Sequence, residues 1–302
     1  MLNNSPQFPN FKTFNIKVLE QLSSFISQYP IYSDFNLVSL ITWGVNDSVQ
    51  YSFINNNLLI SLRDYTTEQR SYSLLGSTEI DKTLSCIFKL DAINALERVP
   101  ESVVKLISNK NNFIIEHQRD EDDYVYNLKN VTGMNGPEYR NYRRKLSTFQ
   151  KNIQIIPVLK KIAVDDQTNL KKILNLTKKW RNIREKTFQE SSLEYYAIRR
   201  ALHYGDKLPI DIWGLFDKED LLGFIITQNI HKYTILHFEK ANTTIPGIGA
   251  YLKHQVFLKL YLSGQRYLNY EQDLGIHGLR EYKLSLSPDS FMLKYRIRSV
   301  DY

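Results

Sequence analysis

The sequence predicts an α+β protein, a mixed sheet flanked by helices and laid down twice. Three observations carry this. Apolar residues recur at helical spacing in some segments and alternate in others, so neither element type dominates. The second half orders its elements as helix, helix, three strands, helix, strand, and the first half opens with the same helix, helix, three strands, helix. A chain of 302 residues also suffices for two domains of roughly 150 residues each. The expected domains are 1–155 and 156–302.

The first half opens with "FNIKVLEQLSSFISQY", apolar at helical spacing and stopped by Pro30. "DFNLVSLITWG" predicts a second, short helix capped by Asp34 or Asn36. "VQYSFINNNLLISLRD" reads as a hairpin around Asn55, Asn56 and Asn57, and "RSYSLLGS" as a third strand. Helical segments are expected through "EIDKTLSCIFKLDAINALERVPESVVKLISN", with Pro100 in the first turn of the later one. A strand and then a solvent-exposed acidic loop, Asp120 to Asp123, follow in "NNFIIEHQRDEDDYVYNLKNV".

A helix after Pro137 aligns Tyr139, Tyr142, Leu146 and Phe149 on one side. "IQIIPVLKKIAV" is extended. "DDQTNLKKILNLTKKWRNIREKT" is a basic amphipathic helix capped by Asp165 or Asp166, and "QESSLEYYAIRRALHYGDKL" is another helix. A hairpin turning at Asp217 to Asp220, the strand "YTILHFEKA", a glycine turn feeding a long helix, and the strand "RYLNYEQD" complete the series.

Apolar content of 42% and charged content of 24% are ordinary for a globular protein. No apolar run is long enough to span a bilayer, and the start "MLNNSPQFPN" lacks the apolar core of a leader. The expected location is the cytoplasm, with any membrane met peripherally from its inner face. Cys86, the single cysteine, sits in "TLSCIFKL" and reads as a small buried hydrophobe. The net charge of +7 is uneven: −5 over residues 1–139, +10 over 140–190 and +2 over 191–302. Arg140, Arg143, Arg144, Lys178 and Lys179 of the middle block could grip a polyanion, either RNA phosphates or anionic lipid headgroups, or could form a solvated face. Six isolated histidines exclude the short spacings of a metal site, and no G-x-S-x-G elbow points to a serine hydrolase.

Two constellations could do chemistry. Gly247 and Gly249, behind Asn242 and Thr244, form a glycine-rich strand-to-helix turn whose N–H groups could hold a phosphate; an ordinary tight turn has the same composition. In "YLNYEQD", alternation puts Asn269, Glu271 and Asp273 on one strand face, with Arg280 and Lys283 following. Three polar groups in a row are costly to bury unless each is partnered. Pairing of Glu271 or Asp273 with Arg280 would make either a structural ion network or the floor of an active site.

"NYEQDLGIHGLREYKLSLSP", with "KYRI" after it, resembles the C-terminal signature of the DUF2156 family, related to the C-terminal domain of phosphatidylglycerol lysyltransferase. "YNLKNVTGMNGPEYRNYRRKLSTF" and "YSDFNLVSLITWG" resemble two further stretches of that family, so the likeness spans residues 30–298. The resemblance implies two tandem GNAT-like (acyl-CoA N-acyltransferase-like) domains, with "YTILHFEKA" as the central strand and "TTIPGIGAYL" as a pyrophosphate-type turn. It implies an acyl- or aminoacyl-transferase with no tightly bound cofactor and no metal. The donor would be aminoacyl-tRNA or an acyl-CoA, and the acceptor a small-molecule or lipid-headgroup amine or hydroxyl. Asn269, Glu271, Asp273 and Arg280 would be catalytic, and Gly247, Gly249, Thr244, Asn242 and Lys283 would bind the co-substrate. The competing reading is a non-catalytic protein of the same fold that binds lipid, nucleotide or RNA.

Overall fold

The computed structural model describes residues 5–44, 48–63, 69–90, 92–152, 156–183 and 188–300. Residues 153–155 and 184–187, expected in a strand and a helix, lie outside the described residues. Contacts divide the chain into two compact units, Met1–Asp123 with Met292–Tyr302, and Tyr124–Phe291.

In the first unit, β1 (Lys12–Thr13), β2 (Val49–Ile54), β3 (Asn57–Arg63) and β4 (Arg70–Leu75) form an antiparallel sheet in that order. The β2–β3 turn is the expected asparagine one. Asn55 and Asn56 both have positive φ, 47° and 60°, a conformation asparagine tolerates better than most residues. Helix α1 (Leu19–Ile26) precedes α2 (Leu37–Trp43), whose cap is Asn36: its Oδ1 accepts from the N–H groups of Val38 and Ser39 at 2.8 and 3.2 Å.

Helix α3 (Ile80–Ile87) leads to β5 (Leu96–Pro100), the short α4 (Glu101–Val104) and β6 (Phe113–His117). The expected helical continuity is therefore broken by a strand. Leu96, Glu97 and Arg98 favour helix by propensity, but antiparallel pairing with β14 (Lys294–Ser299) overrides it. β14 also pairs with β6, so this sheet reads β5-β14-β6. Its apolar side chains join those of α3 and α4 in one core, on which Cys86 packs only partly buried.

The acidic run is only in part the solvated loop expected: Asp120 is exposed, but its second half is not. Asp122 and Asp123 are 1% and 0% exposed. Asp123 accepts from the Ser33 N–H and hydroxyl at 2.7 and 2.6 Å and from Lys294 Nζ at 2.7 Å; Asp34 is also ion-paired to Lys294. Burial alone lowers the Lys294 pKa, but the two carboxylates carry it above the ordinary lysine value.

The second unit contains β7 (Asp123–Asn127), α5 (Leu128–Gly133), α6 (Arg140–Asn152), β8 (Val158–Ile162), α7 (Gln167–Ile183), α8 (Phe188–His203), β9 (Asp211–Asp217), β10 (Asp220–Ile230), β11 (Tyr233–Ala241), α9 (Ile248–Leu262), β12 (Tyr267–Asn269), α10 (His277–Leu284) and β13 (Ser290–Met292). Its sheet runs β13-β7-β12-β11-β10-β9-β8. β8 to β11 are antiparallel neighbours, and the α9 crossover returns β12 parallel to β11.

Successive side chains on β11 fix the layers. Glu239 meets Lys253 of α9, while Lys240 meets Glu194 of α8 and the Trp180 ring of α7, so α9 lies on one face and α7 with α8 on the other. Helix α6 and the 3-10 turn Pro137–Tyr139 before it bury Tyr139, Tyr142, Leu146 and Phe149, as the spacing predicted. It packs on α9, with Phe149 stacked on Tyr251 and the Tyr142 hydroxyl donating to the Ala250 carbonyl at 3.2 Å. Among the described residues no helix is long and apolar enough to cross a membrane.

Candidate functional site

The site begins where two parallel strands part. β11 and β12 are paired over three positions only, Tyr233–Ile235 with Tyr267–Asn269. Beyond them β11 runs on to Ala241. Its register with β10 shifts there, because Leu236 pairs with Thr227 and Phe238 with Ile226, leaving His237 as the extra residue of a bulge. The other chain turns away, since Asn269 is an Asx-type turn residue whose Oδ1 accepts from the Glu271 N–H at 2.8 Å.

This turn corrects the expected alternation. Glu271, Leu274 and Gly275 have φ of 56°, 55° and 70°, so Asn269, Glu271 and Asp273 do not share a strand face. Glu271 Oε1 lies 3.0 Å from His237 Nδ1, and His237 Nε2 lies 3.3 Å from Gln228 Oε1. Asp273 is fully buried. It accepts from the Tyr124 hydroxyl at 2.6 Å, the Gly275 N–H at 2.9 Å, and Arg280 through Nε and Nη2 at 3.0 and 2.9 Å. Burial works to raise the Asp273 pKa, but Arg280, Tyr124 and Gly275 bring it below the ordinary aspartate value. Lys283 Nζ donates to the carbonyls of Tyr270, Gln272 and Glu271 at 2.5, 2.7 and 3.2 Å. These residues hold the loop in its left-handed conformation.

Across the gap stands a carboxylate that no sequence motif marks. Glu239 Oε1 accepts from Lys253 Nζ at 2.9 Å, while its Oε2 is buried with no close partner and the Tyr270 hydroxyl lies beside the carboxylate. The Tyr282 hydroxyl is likewise buried, with the Tyr270 hydroxyl as its neighbour. Lys253 and Lys145 place their ammonium groups 4.9 and 5.1 Å from the centre of the Tyr282 ring. Desolvation raises the phenol pKa values of Tyr142, Tyr270 and Tyr282 well above the usual one, and the nearby Glu239 charge adds to this. An acid in the largely buried strand "TILHFEKA" was the available signal, because a central strand keeps a carboxylate only where something requires it.

The glycine turn is partly filled. Gly247, with φ of 79°, begins α9, and a Cβ there would lie 2.3 Å from the Lys145 carbonyl of α6. Asn242 Oδ1 accepts from the Thr244 N–H and hydroxyl at 3.2 and 2.8 Å, shaping the approach to the turn. Lys283 is not at this turn but on the loop carbonyls. The basic block is divided: Arg140, Arg143 and Arg144 belong to α6, on the α9 face, whereas Lys178 and Lys179 belong to α7 on the opposite face. Arg143 also donates to the carbonyls of Met134 and Gly136.

The α+β fold is shared with solved structures. A conserved protein of unknown function from Bacteroides thetaiotaomicron has a TM-score of 0.81 at 21% identity, over 96% of this chain and 99% of that one. L-PGS from Bacillus licheniformis has a TM-score of 0.62 at 13% identity, over 94% and 92%. FemX has a TM-score of 0.56 at 7% identity, over 97% and 98%. At these identities the likeness is one of fold. The family is set by sequence: the chain belongs to the family described as "Phosphatidylglycerol lysyltransferase, C-terminal", which matches residues 28–298. No curated protein matches the chain.

Proposed function

We propose that this protein is an acyl- or aminoacyl-transferase with its reaction centre where β11 and β12 part. The observation that carries the reading is Glu239, a carboxylate on β11 beyond its last pairing with β12, held by Lys253 and Tyr270 with one oxygen buried and without a close partner. An acceptor hydroxyl or amine attacks the donor's carbonyl carbon, and Glu239 takes its proton. The tetrahedral intermediate then expels the donor oxygen or sulfur, which recovers the proton from Glu239. Asp273, Arg280, Asn269 and Lys283 hold the loop opposite, and Glu271 sets the His237 ring.

We further propose that residues 1–155 and 156–302 are tandem GNAT-like domains that have exchanged one strand each. The second sheet runs β8-β9-β10-β11-β12-β7-β13, and the first unit runs β1-β2-β3-β4 and then β5-β14-β6. Each places its own first six strands in the same order around one strand from the other half of the chain. The family's name and the likeness to L-PGS favour an aminoacyl donor and a lipid-headgroup acceptor. The close approach of α6 to Gly247 also favours aminoacyl-tRNA over a CoA thioester, because it narrows the turn where a pyrophosphate would lie. The cations of α6 and α7 are then available to tRNA phosphates or to a membrane's inner face.

The test supplies the protein with labelled aminoacyl-tRNA or acyl-CoA, each with anionic lipid vesicles or soluble amines. Transfer from aminoacyl-tRNA is expected. Binding of these molecules without transfer of label from any donor would favour the non-catalytic reading instead.

A further inference from the structure

We propose that Lys145, Lys253 and the Tyr282 hydroxyl form a subsite for a phosphate group of a substrate ester. The inference rests on the transferase reading and deepens it. Its basis is a local imbalance of charge. Lys253 is 5% exposed and spends its ammonium on Glu239 at 2.9 Å. Lys145 comes to the same tyrosine ring, and among the described residues no carboxylate lies within ion-pairing distance of it. Two ammonium groups against one carboxylate leave a net positive charge in a half-buried place, and a fold has no structural need to gather them.

Burial lowers the Lys145 pKa, and the like charges of Lys253 and Arg144 lower it further. That is the cost of cations assembled before their counter-ion arrives. The α9 terminus adds to the positive field: a Cβ on Gly249, in its first turn, would lie 3.7 Å from Lys253 Nζ. The Tyr282 hydroxyl, buried beside that of Tyr270, keeps one O–H that can turn to donate. A tetrahedral oxyanion can accept from two ammonium groups and a phenol at once, which suits phosphate better than a planar carboxylate. Glu239 Oε2 is not part of this set.

Calorimetric titration of the full chain with inorganic phosphate, glycerol 3-phosphate and AMP tests the subsite and distinguishes its sources. Saturable binding of at least one is expected, and the tightest identifies whether headgroup or nucleotide phosphate is preferred. Lys145→Met should weaken it by about tenfold, Tyr282→Phe by less, and Lys145→Arg should retain most of it. Because Lys145 is partly exposed and its charge is disfavoured, Lys145→Met should melt no lower than the parent, so lost binding cannot be ascribed to unfolding. Equal binding by parent and Lys145→Met, or no binding of any probe, would overturn the subsite. Glu239→Gln separates the two readings: it should bind phosphate at least as well as the parent even where transfer fails.

Discussion

Arg280 and Asp273 are joined by two parallel hydrogen bonds, Nε to Oδ2 at 3.0 Å and Nη2 to Oδ1 at 2.9 Å. The pair closes the seven-residue step from the end of the loop into α10, and Tyr124 and Gly275 also donate to the carboxylate. A fork-shaped guanidinium suits this better than an ammonium would.

Asp273→Asn should therefore cost about 3 kcal/mol at neutral pH, read by urea unfolding. The sign with pH follows from the lowered Asp273 pKa. Its stabilisation is fully present above the unfolded value of about 4 and is lost as pH falls through the folded value. The difference between parent and variant should thus close in acid.

Glu239→Gln should lower transfer by about 10²- to 10⁴-fold with the melting temperature nearly kept. The amide oxygen can still accept from Lys253, so the change removes the proton acceptor more than the fold. A variant with parent-like turnover would move the base elsewhere.

Gly247→Ala places a side chain at φ of 79° with its Cβ 2.3 Å from the Lys145 carbonyl. Left-handed strain and the displacement of α6 together should cost at least about 2 kcal/mol. Thermal unfolding measures this, and weaker phosphate binding should accompany it because Lys145 moves with α6.

Lys294→Met strips the ammonium from two buried carboxylates, Asp34 and Asp123. A loss of about 3 to 5 kcal/mol is expected in denaturant. Adding Asp123→Asn should recover part of it, which a merely steric effect of Met would not allow.

What could be read from the sequence was what local periodicity and local capping decide. The buried face of α6, the Asn36 cap and the Asn55–Asn56 turn need only neighbours within a few residues. Other features depend on partners far along the chain. Asp123 is buried because Lys294 meets it from 171 residues away. Leu96–Pro100 is a strand because β14 pairs with it, against its own helical composition. At the site, the pairing with Arg280 could be anticipated, but the end of β12 could not: a side-chain bond from Asn269 to the next turn breaks the alternation. Glu239 escaped because it belongs to no motif, and only its buried pairing with Lys253, far along the chain, sets it apart.

β14 is the middle strand of β5-β14-β6, yet the whole second unit separates it from β6 in sequence. On a ribosome, then, the half that emerges first is finished last, its unpaired strand edges waiting while residues 124–291 are made. Chaperones that shield nascent edges would be expected to engage this protein early and release it late. Splitting the gene between the two halves would leave the first product without its central strand.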